Sequence, residues 1–373
     1  MDTHRTEPGE TIKVIIVDDS AVVRGLISKM LGADPDVTVV ATESNGAQAV
    51  NHMVKGKADV MILDIEMPEM DGLTALPKLL KVDPDVRIIM ASTLTVKNAE
   101  VSMKALQAGA ADYIPKPSAA HSLGAGTEFQ RELLQKVKVL GKTGRRKKTD
   151  RKVPREKPPA APMPDFNGKV TLVKPPIVIT KPAILAIGSS TGGPAALFEF
   201  LKALNGKIDL PIVISQHMPP KFTTILAQHI CRMTGMDAKE AEDGDKVEPN
   251  HVYLAPGDYH MTVAGKGGDV RIRLNQDPPE NFCRPAVDPM LRSVADVYGK
   301  RALVVILTGM GYDGMKGSQL VVEAGGTILA QDEETSVVWG MPGAVAHAGI
   351  CTQVLPLDKL APFVTDFVSR ATV

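Results

Sequence analysis

Three residues set in or beside glycine- or proline-rich turns could do covalent chemistry in this chain of 373 residues. The run AILAIGSSTGGP carries Gly188-Ser189-Ser190-Thr191-Gly192, a G-x-S-x-G placed where a strand enters a helix. Small flanking residues permit a sharp turn that exposes the central hydroxyl of Ser190. The Thr191 N–H, at the start of the next helix, can donate to a developing oxyanion. LPIVISQHM ends in His217, next to Pro219-Pro220, and a histidine one strand from an elbow serine is a candidate general base. RALVVILTGMGYDG then supplies Asp313 as the carboxylate that would orient the imidazole. The order Ser, His, Asp differs from the Ser, Asp, His order of α/β-hydrolases, so that fold is not assigned. Two other readings of the glycine-rich turn stay open: a helix-capping serine, and a nucleotide site. The second lacks GK[ST] and G-x-G-x-x-G, and the next strand ends in His217 and not in an acid for a ribose.

A second constellation lies in the first third of the chain. Asp18 and Asp19 end one apolar run, Asp64 another, Ser92 (then Thr93) a third, and Lys116 a fourth, before Pro117. If these runs are parallel strands of an open sheet, all five residues stand at its carboxyl ends, where the functional crevice lies. Three like charges there are unfavourable unless a cation joins them. Carboxylate oxygens with open water positions suit Mg²⁺. The lysine makes sense if a phosphoryl anion also arrives. The plainer alternative is that the acids cap the following helices.

The elements that must hold these residues alternate strand and helix on both sides of a basic stretch. KVIIVDD, VTVVATE, DVMILDI, VRIIMAS and ADYIPKP read as five strands of a parallel, doubly wound α/β sheet. The pattern restarts with AILAIGS, LPIVISQH, RALVVILTG and GGTILAQ, giving a second doubly wound α/β domain. Within it, HVYLAPGDYHMTVAGKGGDVRIRL alternates in the manner of a β-hairpin insertion. Between the two, Lys142 to Lys157 holds nine Lys/Arg against two acids, a net +7 in a chain that is formally neutral. Prolines follow closely, so about 142–178 reads as a basic, Pro-rich linker, either a solvated tether or a dock for an acidic partner. The expected domains are 12–130, the 142–178 linker and 179–371.

Composition excludes several classes. Apolar residues are 44% and charged residues 23%, as in ordinary globular protein. Lys+Arg and Asp+Glu are both 43, which argues against a wholly basic nucleic-acid binder. Three widely spaced cysteines, Cys231, Cys283 and Cys351, imply no disulfide framework. The polar opening MDTHRTEPGET has no apolar signal core, and the apolar runs fall short of the roughly 20 residues a membrane helix needs. A cytoplasmic location, with no nucleic-acid partner and no membrane insertion, is expected.

The acid–hydroxyl–lysine set resembles the receiver domain of two-component response regulators. That resemblance implies Asp64 as phosphoacceptor, with Asp18, Asp19, Asp64 and the Glu66 carbonyl holding Mg²⁺. It implies Ser92 and Lys116 on the phosphoryl group and Tyr113 at the aromatic switch position, with Ser92 and Tyr113 turning inward on phosphorylation. GSSTGGP, SQHMP and TGMGYDG, together with the order receiver, linker, catalytic domain, resemble the chemotaxis protein-glutamate methylesterases. This implies Ser190 as nucleophile, His217 as base, Asp313 as orienting acid, and the N–H groups of Thr191 and Met310 at the oxyanion. One departure is Ala286 in Arg284-Pro285-Ala286-Val287-Asp288, where the family pattern has serine. The activity implied is phosphorylation-regulated hydrolysis of glutamate γ-methyl esters on chemoreceptor helices, releasing methanol, with glutamine deamidation as a second activity. Mg²⁺ would serve the receiver only, with no cofactor for the esterase, and a chemotaxis histidine kinase would donate the phosphoryl group. A non-enzymatic, phospho-dependent receptor-binding adaptor is the alternative. A DNA-binding regulator would need a helix-turn-helix reader, which the α/β pattern after residue 180 does not offer.

Overall fold

The computed structural model describes residues 11–93, 95–116, 125–150, 170–173 and 180–370. The chain divides into two compact units, 1–157 and 158–373.

The first unit alternates β1 (Ile12–Val17), α1 (Ala21–Gly32), β2 (Val37–Glu43), α2 (Gly46–Lys55), β3 (Val60–Asp64), α3 (Gly72–Val82), β4 (Arg87–Ser92), α4 (Val96–Gln107), β5 (Asp112–Pro115) and α5 (Ala125–Asp150). Its sheet has the order β2-β1-β3-β4-β5 with every pair parallel. β3 is buried at all five positions, as a central strand covered on both faces must be. Four helices begin where the sequence offers a capping side chain. Ser20, Asn45, Asp71 and Thr95 each accept a first-turn N–H, of Val23, Gln48, Thr74 and Asn98. The acids at the strand ends are therefore left over for other work: the caps are the residues after them.

The second unit holds a seven-stranded parallel sheet. Its elements are β6 (Ile184–Ser189), α6 (Gly193–Leu204), β7 (Ile212–Gln216), α7 (Phe222–Thr234), β8 (Asp237–Glu240), β9 (His251–Leu254), β10 (His260–Lys266), β11 (Asp269–Asn275), α8 (Val287–Tyr298), β12 (Ala302–Ile306), α9 (Met315–Glu323), β13 (Thr327–Gln331), α10 (Met341–His347), β14 (Gln353–Leu355) and α11 (Leu357–Arg370). The strand order is β14-β13-β12-β6-β7-β9-β8. The chain runs outward from β6 on one side, then returns to lay β12 against the other side. The space between the ends of β6 and β12 is thus the topological switch point, where a ligand crevice forms. β6, β7, β12 and β13 are buried throughout.

Several expectations differ from this picture. His251–Leu254 belongs to no hairpin; it pairs in parallel with β7 and β8 inside the main sheet. A four-residue buried run carries too little periodicity to reveal its partner. Only β10 and β11 form the antiparallel hairpin. The edge strands β8 and β14 were not foreseen; both are short and partly exposed. α5 continues to Asp150, so the first part of the basic run is helical. Lys and Arg are good helix formers and are favoured at a helix C-terminus, where the dipole is negative. Val173, also assigned to the linker, donates its N–H to Cys351 O at 2.9 Å. The remainder of the expected linker, 151–169 and 174–179, lies outside the described residues. No helix among the described residues is long and apolar enough to cross a membrane.

Candidate functional site

In the first unit, the five residues singled out at strand ends do converge. Asp18, Asp19 and Asp64 each present a carboxylate oxygen within 4.8 Å of the others. Lys116 Nζ lies 2.7 Å from Asp18 Oδ2 and 2.7 Å from Asp64 Oδ1. Asp18 Oδ2 is buried and accepts no well-directed hydrogen bond, though it is ion-paired with Lys116. Burial, reinforced by the Asp18 charge, pushes Asp64 up to about 6 in spite of Lys116 and the Ile65 N–H. Lys116 itself is raised: burial opposes its charge, but the two aspartates outweigh that. Such a set fits a divalent cation, since three carboxylates exceed the one lysine that faces them.

The loop after Asp64 requires Gly72. A Cβ there would overlap the Asp64 carbonyl, and the Gly72 N–H donates to Ile65 O at 3.0 Å. The Glu66 side chain points away to an exposed ion pair with Lys97 at 2.8 Å, which leaves its backbone as the part available to the crevice. Ser92 is buried, with its Oγ 3.3 Å from Ser102 Oγ. Tyr113 is already inward, only 4% exposed, with Lys136 Nζ 5.3 Å from its ring centroid. Lys136 is held there by Asp112 at 3.0 Å and by the Tyr113 carbonyl at 2.7 Å. Ser92 and Tyr113 are thus both buried in this structure.

In the second unit, Ser190 follows β6, His217 follows β7, and Asp313 follows β12, so the three stand at adjacent strand ends. His217 Nε2 lies 2.7 Å from Asp313 Oδ2. The same oxygen accepts the Val287 N–H at 2.6 Å, and Oδ1 accepts the N–H groups of Asp288 at 3.1 Å and Gly314 at 2.9 Å. Val287 and Asp288 open α8, whose cap residue Ala286 offers no side chain. The unpaired first-turn N–H groups of that helix are thereby used by the carboxylate. Burial would raise Asp313, but His217 and these N–H groups hold it below its ordinary value. Loss of the family serine at position 286 leaves that arrangement intact, because Ala286 contributes only backbone: its N–H donates to His260 Nδ1 at 3.2 Å.

The serine turn is braced by a residue that sequence reasoning passed over. Gln216 Oε1 accepts from Ser189 Oγ at 2.6 Å, while its Nε2 donates to the carbonyls of Ser190 at 2.9 Å and His217 at 3.2 Å. A Cβ at Gly193 would overlap Gln216 Oε1, and Gly192 has φ +76, so both glycines are demanded by this turn. The Ser190 N–H is spent on Thr308 O at 3.1 Å. Gly309, the residue before Met310, sits against Ser190, where an added Cβ would lie 3.0 Å from the serine Cβ. Thr191 is buried, with its carbonyl accepting from Thr308 Oγ1 at 2.9 Å.

Three further residues were given no role at the site. Asn281 Nδ2 donates to Asp313 Oδ1 at 2.9 Å and to Asp288 Oδ2 at 3.1 Å. Asp288, pushed up to about 6 by burial and by Asp313, accepts the Gly317 N–H at 2.7 Å. Cys283 Sγ lies 3.3 Å from His217 Nδ1. All lie in or beside NFCRPAVD, of which only the last five residues drew attention. A cysteine directly before that segment was the available signal.

Comparison with known proteins places both halves. Residues 185–364 match the family model described as CheB methylesterase, and residues 14–127 the response regulator receiver domain. A protein-glutamate methylesterase/protein-glutamine glutaminase of Azospirillum brasilense is 54% identical over 97% of this chain and 94% of its own length. One of Paramagnetospirillum magneticum is 52% identical over 97% of each. The crystal structure of the Thermotoga maritima CheB methylesterase catalytic domain is 43% identical, covering 51% of this chain and all of that one, with a TM-score of 0.49. With relatives of this identity along nearly its whole length, the chain belongs to the CheB methylesterase family and carries a response-regulator receiver domain ahead of the methylesterase domain.

Proposed function

We propose that the second unit hydrolyses glutamate γ-methyl esters on chemoreceptor helices by a serine mechanism, and that the first unit regulates it through phosphorylation of Asp64. The observation that carries the catalytic reading is the His217–Asp313 pair at 2.7 Å, set on the strands flanking that of Ser190. Ser190 Oγ attacks the ester carbonyl as His217 takes its proton. The N–H groups of Thr191 and Met310 receive the negative charge on the carbonyl oxygen. His217 returns the proton to the departing methoxide, which leaves as methanol. Water then attacks the acyl-Ser190, again with His217 as base, and releases the glutamate carboxylate and free serine. A glutamine carboxamide follows the same path with ammonia as leaving group, in keeping with the paired names of the relatives.

Asp64 is the nucleophile toward a phosphohistidine of a chemotaxis kinase. Asp18, Asp19, Asp64 and the Glu66 carbonyl would hold Mg²⁺, which would offset repulsion between the incoming phosphoryl group and the clustered acids. Lys116, already between Asp18 and Asp64, moves onto the phosphoryl oxygens, with Ser92 as a hydroxyl donor. The place of action is the cytoplasm, where such receptor helices and kinases meet.

Methanol release from methylated receptor membranes, with and without a phosphodonor, tests the reading. Release that requires Ser190 and rises with the donor is expected. Membrane binding without methanol release would favour the adaptor alternative.

A further inference from the structure

His217 has two ring nitrogens, and three groups could use them. Nε2 is 2.7 Å from Asp313 Oδ2, and Nδ1 is 3.3 Å from Cys283 Sγ. Among the described residues Ser190 Oγ has no hydrogen-bond partner. Since Nε2 is committed to Asp313, a serine that hands its proton to His217 must reach Nδ1. That nitrogen is the one Cys283 holds.

The local backbone aims Cys283 there. Glu280 and Cys283 exchange both backbone hydrogen bonds, at 3.2 and 2.8 Å, across Asn281 and Phe282. Those two central residues have φ +52 and +64, the signs of a type I′ turn. Asn tolerates this region; a bulky Phe is strained in it. Such strain persists only where the surroundings over-determine it. Here Asn281 is bonded to both Asp313 and Asp288, and Glu280 is paired with Arg292 of α8. The turn that presents the thiol is therefore anchored to the same carboxylate that holds the imidazole.

We propose that Cys283 is a positioning residue of the esterase site: its thiol occupies the His217 nitrogen that Ser190 needs, so that Ser190 must displace it to be activated. The inference rests on the serine mechanism proposed above. A cysteine sulfur is a weak hydrogen-bonding partner as donor or acceptor, so it steadies the ring between Cys283 and Asp313 yet yields readily to a hydroxyl. Burial alone would lower the His217 pKa, but Cys283 and Asp313 together raise it to about 10. Cys283 and Asp313 face the ring; Asp288 and the Glu280–Arg292 pair lie behind Asp313.

The test uses the full chain and its three cysteines. Cys231 is exposed and serves as reference, while Cys351 is buried. With iodoacetamide at pH 7, read by mass spectrometry, Cys283 should be alkylated about tenfold faster than Cys231 although it is less exposed, because the His217 imidazole 3.3 Å away assists attack by the sulfur. Labelling no faster than Cys231 overturns the proposal. Cys283→Ala leaves Nδ1 to Ser190, so the acid limb of kcat/KM should move about one unit to lower pH with KM unchanged, about tenfold in rate on that limb. Cys283→Ser, which still offers a hydroxyl to Nδ1, should shift it less. An unmoved limb, or an equal loss at every pH in both variants, also overturns it. Ser190→Ala separates the two readings. Turnover surviving in that variant defeats the serine mechanism while the labelling result still reports the Cys283–His217 pair.

Discussion

Asp313 and His217 meet at 2.7 Å, with the carboxylate already saturated by α8 and its neighbours. The aspartate accepts from His217, Val287, Asp288, Asn281 and Gly314, so neither of its oxygens is free to move. An orienting acid this constrained fixes the imidazole before substrate arrives. Catalysis by positioned groups depends on such prior order.

Replacing Ser190 with Ala should abolish covalent catalysis, with kcat falling on the order of 10³-fold or more, as in other serine triads. His217→Ala should be comparably severe. Methanol release on receptor membranes measures both, and near-normal turnover in folded Ser190→Ala protein would contradict the mechanism.

Asp313→Asn should cost stability as well as rate. An amide NH₂ in place of one oxygen would confront backbone N–H groups on either side, since both oxygens now accept from donors. A buried donor left facing a donor costs about 1–3 kcal/mol. Thermal unfolding of the second unit should shift down by several degrees, at about 2–4 °C per kcal/mol for a unit of this size. A variant that melts with the wild type would mean the carboxylate's bonds are dispensable.

Stability of the second unit should also fall as pH rises. The folded-state pKa of His217 is raised from 6.5 to about 10, so the stabilisation it brings is full below about 6.5 and lost on the way to 10. Asp288, raised from 3.8 to about 6, acts in the same direction at lower pH, favouring the folded state less as pH climbs through that window. Asp313, held low, opposes this only toward the acid end. Melting of the wild type between pH 6 and 10 should decline more steeply than that of His217→Gln; parallel curves would refute the assignment.

Both sheets and the strand ends that bear Asp18, Asp64, Ser92, Lys116, Ser190 and His217 were legible because β-rich apolar runs end abruptly in polar residues. What escaped was whatever depends on distant partners. Gln216, Asn281 and Cys283 sit in loops or at a strand end with no periodic signature, and their roles arise from what the fold brings to them. The order of β9 between β7 and β8 is likewise a matter of sheet topology, invisible in four residues. The burial of Tyr113 beside Lys136, twenty-three positions along the chain and on a different element, is likewise a long-range contact.

Asp64 should accept a phosphoryl group from acetyl phosphate only when Mg²⁺ is present, because the acids that surround it repel the donor otherwise. Asp64→Asn should not be labelled, and chelation should prevent labelling of the wild type. Labelling of Asp64→Asn equal to that of the wild type would move the phosphoacceptor elsewhere.

Separating the second unit from the first tests whether the first unit restrains it. Activation by phosphorylation can be no larger than the difference in phosphate interaction free energy between the restrained and released states. A tenfold rise needs about 1.4 kcal/mol, whereas moving a population from 1:99 to 99:1 needs about 5.5 kcal/mol. A connecting segment raises the local concentration of one unit at the other, so cutting it should matter more than phosphorylating it. The cut must leave residues 170–173, since Val173 is hydrogen-bonded to Cys351 within the second unit. A chain beginning at residue 158, the start of that unit, should turn over receptor methyl esters faster than the unphosphorylated full chain and ignore phosphodonor. Equal rates for the two chains would show that the first unit does not inhibit, and would leave it a role in activation or localisation alone.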